Sequence, residues 1–407
     1  MKHDVIIIGS GPAGLAAATE LRRLGIRDVV VLEREQTAGG VPRHCGHPGF
    51  GWRECRRLLA GPAYAQRLVA GATGVDLRTG TTALRLEAGG RVHTISSTGP
   101  AVVEARHVLL AMGTRETPRS ARLISGTRPW GVFTTGALQQ LVYLAGVQPC
   151  TSAVIVGTEL VSFSNLLTMR HARIRPLAMI EAGERIVAPR PGDWIARLAF
   201  GARVLTRSTL VAVHGEQRVS GVDIETPRGR ETIECDGVVF SGGFVPETEI
   251  VRTSHLAIDP ATGGPVVDQY GRCSDPAWFA AGNLLRPVEA SWTAWSEGRA
   301  VAHAIAASLR GALPVPTHQT VLEAAGLVHY VCPQRLSHPS PLAPALPVNV
   351  RVSRAGRGRL RMTHGKRELW GQVRSMLPER RLLIPTVAGD FATLDRVVVD
   401  LALPAAR

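Results

Sequence analysis

Lysine is almost missing from this 407-residue chain: of its 47 basic residues only Lys2 and Lys366 are lysines, and the arginines run from end to end. That skew is the mark of codon bias, so the formal charge of +14 does not by itself point to nucleic acid, and no nucleic-acid partner is expected. Two denser segments, Arg351 to Arg361 and Arg374 to Arg381, stand as a candidate patch for an acidic partner beside the plainer reading as solvated faces. Long apolar runs are missing as well, which excludes a membrane-spanning helix. An apolar strand directly after Met1-Lys2-His3-Asp4 leaves no room for a signal peptide. A cytoplasmic chain is therefore expected, touching a membrane surface only through partners. The six cysteines, Cys45, Cys55, Cys150, Cys235, Cys273 and Cys332, are never separated by only two residues. Their spacing excludes a redox CxxC and an iron–sulfur or zinc ligand set, and no metal is expected.

The length asks for two or three cores, and the 45% hydrophobic content can fill them. Val5 to Ile8 reads as a buried parallel strand, short and β-branched. Gly9-Ser10-Gly11-Pro12-Ala13-Gly14 follows, then a helical stretch, Leu15 to Leu24, and a second strand, Val29 to Leu32, that ends in Glu33. The three glycines do different things. Gly9 allows the tight turn, Gly11 clears space for a pyrophosphate, and Gly14 lets helix and strand pack closely. Backbone N–H groups at the helix start, in the turn that holds Pro12 and Ala13, face the phosphate, Pro12 itself having no N–H to give, and Glu33 can accept hydrogen bonds from a ribose. A lone GxGxxG is weak, but here strand, helix, second strand and terminal acid are all in place.

A second glycine-rich stretch, Gly39-Gly40 through Gly51, contains Arg43, His44, Cys45 and His47. With the first motif it resembles the two-dinucleotide-binding-domain flavoproteins related to glutathione reductase. Within them it is similar to the flavoprotein subunits associated with anaerobic glycerol-3-phosphate dehydrogenase, hydrogen cyanide synthase and opine or hydroxyproline dehydrogenases. The resemblance implies FAD in the N-terminal site, with Glu33 at the adenosine ribose and the segment Gly39 to Phe50 running along the FAD. Arg43, His44 and His47 then offer positive charge or a proton donor near a flavin or a substrate carboxylate, with simple loop structure as the alternative. His44 and His47 lack an accompanying carboxylate ligand, and Cys45 reads as a packed thiol. The resemblance also matches Met112-Gly113, after the strand His107 to Ala111, and Gly282-Asn283, after Trp278 to Ala281, to segments that pass the FAD. Asn283 stands where an acid is usual and retains an acceptor oxygen. A helix from Glu289 to Arg310 would then point its N-terminus at the flavin pyrimidine ring.

Ala153 to Val156 and Leu177 to Ile180 repeat the strand pattern, but the turn between them reads Gly157-Thr158-Glu159-Leu160-Val161-Ser162. Glu159 puts an anion in the second glycine position, and Ser162 replaces the third, so the fold is expected without efficient nicotinamide binding. The expected architecture is α/β: a glutathione-reductase-like pair of Rossmann-type domains, the second inserted in the first, plus a small C-terminal mainly β module. The FAD domain takes 1–113 and 272–326, the degenerate NAD-binding-like domain 114–271, and the docking or dimerisation module 336–407, after a proline-punctuated connector from Tyr330 to Pro347. The leading function is an FAD-dependent electron-transferring subunit of a multi-subunit dehydrogenase for an amino acid, opine or glycerol-3-phosphate-like substrate. A hetero-oligomer with a second flavoprotein or an iron–sulfur protein is expected. The alternatives are a stand-alone NADH-dependent flavin oxidoreductase and a non-catalytic FAD-bound assembly subunit. No catalytic base can be assigned.

Overall fold

The computed structural model describes residues 2–385 and 394–402. The elements that position the sites are β1 (Lys2–Ile8), α1 (Pro12–Arg23), β2 (Val29–Leu32), β3 (Gly99–Leu110), α2 (Thr135–Tyr143), β4 (Ser152–Val156), α3 (Leu160–His171), β5 (Arg175–Ile180), β6 (Gly237–Phe240), β7 (Trp278–Ala280) and α4 (Ser291–Leu309). The chain divides into two compact units. The first gathers Met1–Gly40, Ala65–Thr114 and Pro246–Arg407, the second Val41–Tyr64 and Arg115–Val245.

In the first unit, Val5 to Ile8 are buried on both faces because alternate residues enter two cores, Val5 and Ile7 one and Ile6 and Ile8 the other, while β2 and β3 pair in parallel along the two edges of β1. Asp76–Arg78 extends the sheet beyond β2, and β7 pairs with the end of β3. The first half of β3 instead pairs antiparallel with Arg91–Ser96, which pairs in turn with Thr82–Glu87. α1 and α4 pack closely: a Cβ on Gly298 would stand 2.1 Å from the Ala13 carbonyl oxygen. Glu20 ties the two helices by accepting from Arg299 Nε at 2.8 Å, with His303 Nε2 at 3.1 Å.

The C-terminal module is mainly β and holds its own apolar core, including Leu322, Val350, Leu360 and Val397. Its strands begin at Thr320–Ala324, and the expected connector from Tyr330 starts inside a strand, Val328–Cys332, whose Tyr330 and Cys332 are buried. Val348 to Val352 and Arg359 to Met362 alternate apolar and polar in the sequence, and both are strands, the second as the middle of a longer one, Gly356–His364; the short apolar run Leu382–Ile384 is a strand as well. The sequence offers one more short apolar run, Arg396 to Leu403; the last strand is Arg396–Ala402, and Leu403 lies outside the described residues. Several arginines of the two dense segments are engaged within the fold. Arg361 bonds Asp400 at 2.7 and 2.9 Å, Arg359 pairs with Glu368, Arg351 donates to the Val288 carbonyl at 2.9 Å, and Arg381 to Glu289 at 2.7 Å.

The second unit repeats the architecture. Its parallel sheet runs Val132–Thr134, β6, β4, β5, Arg203–Leu205. A four-stranded sheet built on Thr209–His214, Gly221–Thr226 and Gly229–Glu234 covers one face through Leu210, Val213, Val222 and Ile224. α2, α3 and Gly192–Phe200 contribute Leu138, Leu166 and Ala196 to the core on the other face.

Candidate functional site

The first turn has the backbone that its glycines call for. Gly9 takes φ +103°, and a Cβ there would stand 2.6 Å from the Ala111 carbonyl oxygen. A Cβ on Gly14 would stand 1.9 Å from the Gly9 carbonyl oxygen, so helix and strand meet closer than any side chain permits. At Gly11 the situation is the opposite: φ is an ordinary −76°, and a Cβ would meet nothing within 4 Å. Nothing in the fold requires glycine there, and the open space lies at the start of α1, which has Gly11 as its N-cap and no side-chain cap. The first N–H groups of a helix have no intrahelical partner, so this end offers donors and a favourable dipole to an anion.

Glu33 is buried, and its carboxylate is fixed. Oε2 accepts from Ser10 N–H at 3.0 Å and Ser10 Oγ at 2.5 Å, and Oε1 accepts from Glu35 N–H at 2.9 Å. Ser10 also takes the Gly39 N–H, at 3.1 Å on its carbonyl and 3.2 Å on its hydroxyl. Gly40 packs on Gly11, where a Cβ would come within 2.7 Å of the Gly11 Cα. Gly282, at φ +76°, fits against Ala13, and its N–H donates to the buried Glu297 at 3.2 Å. The Asn283 amide is engaged locally: Oδ1 accepts from Glu289 N–H at 2.6 Å, and Nδ2 donates to the Glu289 carbonyl at 3.2 Å. Gly113, at φ +72°, follows Met112 at the end of β3 and accepts Glu247 N–H at 2.9 Å. Gly9, Gly11, Pro12, Ala13, Gly14, Glu33, Gly39, Gly40, Gly113, Gly282 and Asn283 thus all belong to the first unit, whereas Arg43 and His44 fall in the second.

Sequence reasoning missed Ser10 and Glu297. Both act through partners distant in the chain, and neither residue type carries a motif. Glu297 pairs with Arg286, which is 1% exposed and also lies 3.5 Å from Glu289. Burial pushes the Glu289 carboxyl up from its ordinary value, with Arg286 and Arg381 opposing.

The second turn keeps the frame of the first but not its opening. Gly157 N–H donates to the Ile180 carbonyl at 2.9 Å as Gly9 does to that of Leu32 at 2.8 Å. Glu181 takes Thr158 Oγ1 at 2.5 Å and Gly183 N–H at 2.8 Å, the arrangement that Glu33 has with Ser10 and Glu35. Glu159, however, lies over the turn: its carboxylate oxygens would be 2.6 Å from a Cβ on Gly157 and 2.4 Å from one on Gly242. Ser162 is fully buried and donates to Glu159 at 2.8 Å. Arg122 reaches the same place, donating to the carbonyls of Ser241 at 3.1 Å and Gly242 at 2.6 Å.

Five of the six thiols are buried and all are free, and burial raises Cys45 to about 12, an inert packed thiol. Among the described residues no group of three or more His, Cys, Asp or Glu is placed to hold a metal, and no helix is long and apolar enough to cross a membrane.

Residues 3–307 match the family model described as pyridine nucleotide-disulphide oxidoreductase. The chain is 25% identical to an opine oxidase subunit of Rhizobium meliloti over 315 residues, 69% of this chain and 58% of that protein. It is likewise 25% identical to the corresponding Agrobacterium tumefaciens protein, of which it covers 61%, so it spans about three fifths of these relatives. It is 29% identical to the thioredoxin reductase of Mycolicibacterium smegmatis, covering 88% of that protein and 70% of this one. The fold matches T. acidophilum thioredoxin reductase at a TM-score of 0.63, 20% identity and coverage of 75% of this chain and 98% of that one. L-proline dehydrogenase from P. horikoshii matches at 0.56, with 19% identity over 76% of this chain and 56% of that one. A fixed carboxylate at the end of β2, an open second glycine and a helix start without a side-chain cap all fit FAD in the first unit. The chain belongs to the pyridine nucleotide-disulphide oxidoreductase family and is an FAD-dependent oxidoreductase.

Proposed function

We propose that the chain is the FAD-bearing subunit of a dehydrogenase that oxidises an amino acid or opine-like amine and passes the electrons to a partner protein. The observation that carries this reading is the Glu159 carboxylate lying across Gly157 and Gly242. It puts like charge against an incoming diphosphate, and electrons must then reach the flavin from another donor. FAD, when bound, accepts a hydride and releases electrons singly or in pairs. In this reading the FAD domain comprises 1–113 and 272–326, with 114–271 as the degenerate second lobe. Opine oxidase subunits among the relatives support a multi-subunit assembly, and a second flavoprotein or an iron–sulfur protein is the partner it calls for. Arg43, which the fold groups with the second compact unit, supplies positive charge suited to a substrate carboxylate.

The second reading is a stand-alone NADH-dependent flavin oxidoreductase. The comparisons favour it, because thioredoxin reductases are matched over 86–96% of their length and opine oxidase subunits over 58–71%. Glu181, held by Thr158 and Gly183 as Glu33 is held in the first lobe, suits a nicotinamide nucleotide's ribose. Anaerobic titration of the purified yellow protein with L-proline, an opine and NADH separates the two. Bleaching by an amine alone, with a co-purifying partner, supports the first; rapid saturable bleaching by NADH of a free chain replaces it with the second.

A further inference from the structure

The link between β7 and α4, residues 281–290, starts against the first turn. Gly282 lies on Ala13, where a Cβ would come within 2.9 Å of the Ala13 methyl, and its N–H donates to Glu297 of α4. This end of the link therefore sits beside the start of α1, next to the open space at Gly11. The other end, Arg286 to Glu289, is held by the C-terminal module, which belongs to the same compact unit. All three of its holds come from one three-stranded sheet, Val328–Cys332, Val348–Val352 and Leu382–Ile384. Arg286 Nη1 lies 3.7 Å from Cys332 Sγ, Arg351 donates to the Val288 carbonyl at 2.9 Å, and Arg381, just before the third strand, donates to Glu289 at 2.7 Å.

Two further contacts join the ends. The Asn283 amide clasps the Glu289 backbone, accepting its N–H and donating to its carbonyl. Arg286 pairs with Glu297, and its Nε lies 3.5 Å from Glu289 Oε1. The side chains of Arg286, Glu289 and Glu297 are only 1%, 4% and 8% exposed. Buried charges depend on one another: removing one leaves its partner uncompensated, at a far greater cost than at the surface. A change at Arg381 is therefore felt at Glu289, and through the Asn283 amide at Gly282.

We propose that this three-stranded sheet is a working part of the FAD site, with Arg286 and Arg381 as positioning residues. Through Glu297 and Glu289 they hold the segment from Gly282 to Glu289 against the first turn in the form that FAD binds. The inference rests on FAD in the first unit and on neither reading of the substrate. It gives a module whose sequence suggests docking or dimerisation a second task, retention of the cofactor.

The test is FAD binding by the apoprotein of the full chain, followed by quenching of FAD fluorescence, with each apoprotein's melting temperature measured alongside. Arg381→Ala should weaken binding by about tenfold or more, as expected for a lost hydrogen bond to a charged group. It should also shift the visible bands of the flavin that still binds. Arg381→Lys keeps the charge and should recover most of the affinity. Arg381→Ala with Glu289→Gln removes cation and anion together and should bind FAD more tightly than Arg381→Ala alone. Should Arg381→Ala fold too poorly to titrate, Glu289→Gln keeps the side chain's shape and should also weaken binding, because Arg286 and Arg381 are left with one carboxylate fewer. Variants that melt earlier but bind FAD with unchanged affinity and spectrum make the set purely structural and overturn the proposal. Gly11→Val, titrated in parallel, separates the two levels: if it loses FAD while Arg381→Ala and Glu289→Gln keep it, the positioning role falls and the FAD site stands.

Discussion

Ser162 Oγ donates to Glu159 Oε2 at 2.8 Å, so the two residues that replace the second and third glycines of the second turn hold each other. From the sequence, Ser162 merely props helix from strand; in the structure it also fixes the anion in place. Glu159 is thereby denied the easy swing that would let a diphosphate in. Anaerobic stopped-flow with NADH and NADPH should give slow, non-saturating bleaching of the FAD. Glu159→Gly should tighten NADH binding by tenfold or more, about 1.4 kcal/mol, in a fluorescence titration. Rapid saturable reduction of the unaltered protein would show that Arg122 neutralises the carboxylate.

Two glycines of the first turn separate folding from cofactor binding. Gly11→Val points its side chain into open space at a φ that any residue adopts, so thermal melting of the apoprotein should hardly change while FAD content falls sharply. Gly14→Ala drives a methyl to 1.9 Å from the Gly9 carbonyl and should cost the fold itself about 1–3 kcal/mol, the range for overpacking. Equal FAD content in a folded Gly11→Val protein would refute the assignment.

The first turn was legible because its signals are local. Val29–Leu32 forms as read, and Glu33 ends up fixed at the strand end because the turn backbone and the acid lie within one β-α-β unit. What escaped was long-range. Ser10 as the hub between Glu33 and Gly39 and Glu297 beneath Gly282 depend on which strands and helices neighbour one another. The hairpin Thr82–Glu87 with Arg91–Ser96 and the edge strand Arg367–Met376 were missed because half-exposed strands carry weak apolar runs. The proline-dense stretch from Tyr330 misled in the other direction, since its first residues are buried strand.

His44 should leave a mark on acid stability. Its folded pKa, about 4, lies below the unfolded value of 6.5, so between these pH values the unfolded chain binds more protons than the native one. The stability that the neutral ring retains is complete above pH 6.5 and is lost as pH falls towards 4, by roughly 3 kcal/mol at most. Urea midpoints of the native protein should drop over this window more steeply than those of His44→Asn. Parallel curves would mean that the ring is solvated.

Removing residues 336–407 looks from the sequence like a clean way to detach a docking module, but the structure predicts damage to the rest of the first unit, which includes Pro246–Arg407. Ser337 closes a buried set: its N–H donates to Gln269 Oε1 at 2.7 Å, its hydroxyl to Asp268 at 3.0 Å, and its carbonyl accepts from Gln269 at 2.7 Å. Asp268 and Arg272 are an ion pair at 2.7 Å with almost no exposure, and the cut would strip one of their neighbours. Farther on, Arg381 lies 5.0 Å over the Trp292 ring and bonds Glu289 at 2.7 Å, just before α4 begins. The truncated chain should therefore melt earlier and lose FAD, whatever its partners. Point changes avoid this. Arg381→Ala removes one hydrogen bond to a buried carboxylate and should cost on the order of 1.5–3 kcal/mol, read from urea denaturation. Arg357→Glu with Arg374→Glu changes only exposed positions on Gly356–His364 and Arg367–Met376 and should leave stability and FAD absorbance intact. The two positions belong to adjacent residue pairs and so lie on opposite faces of this strand pair; if an acidic partner docks on either, the double variant should elute without it in size-exclusion chromatography. A complex that survives the charge reversal would move the docking surface elsewhere.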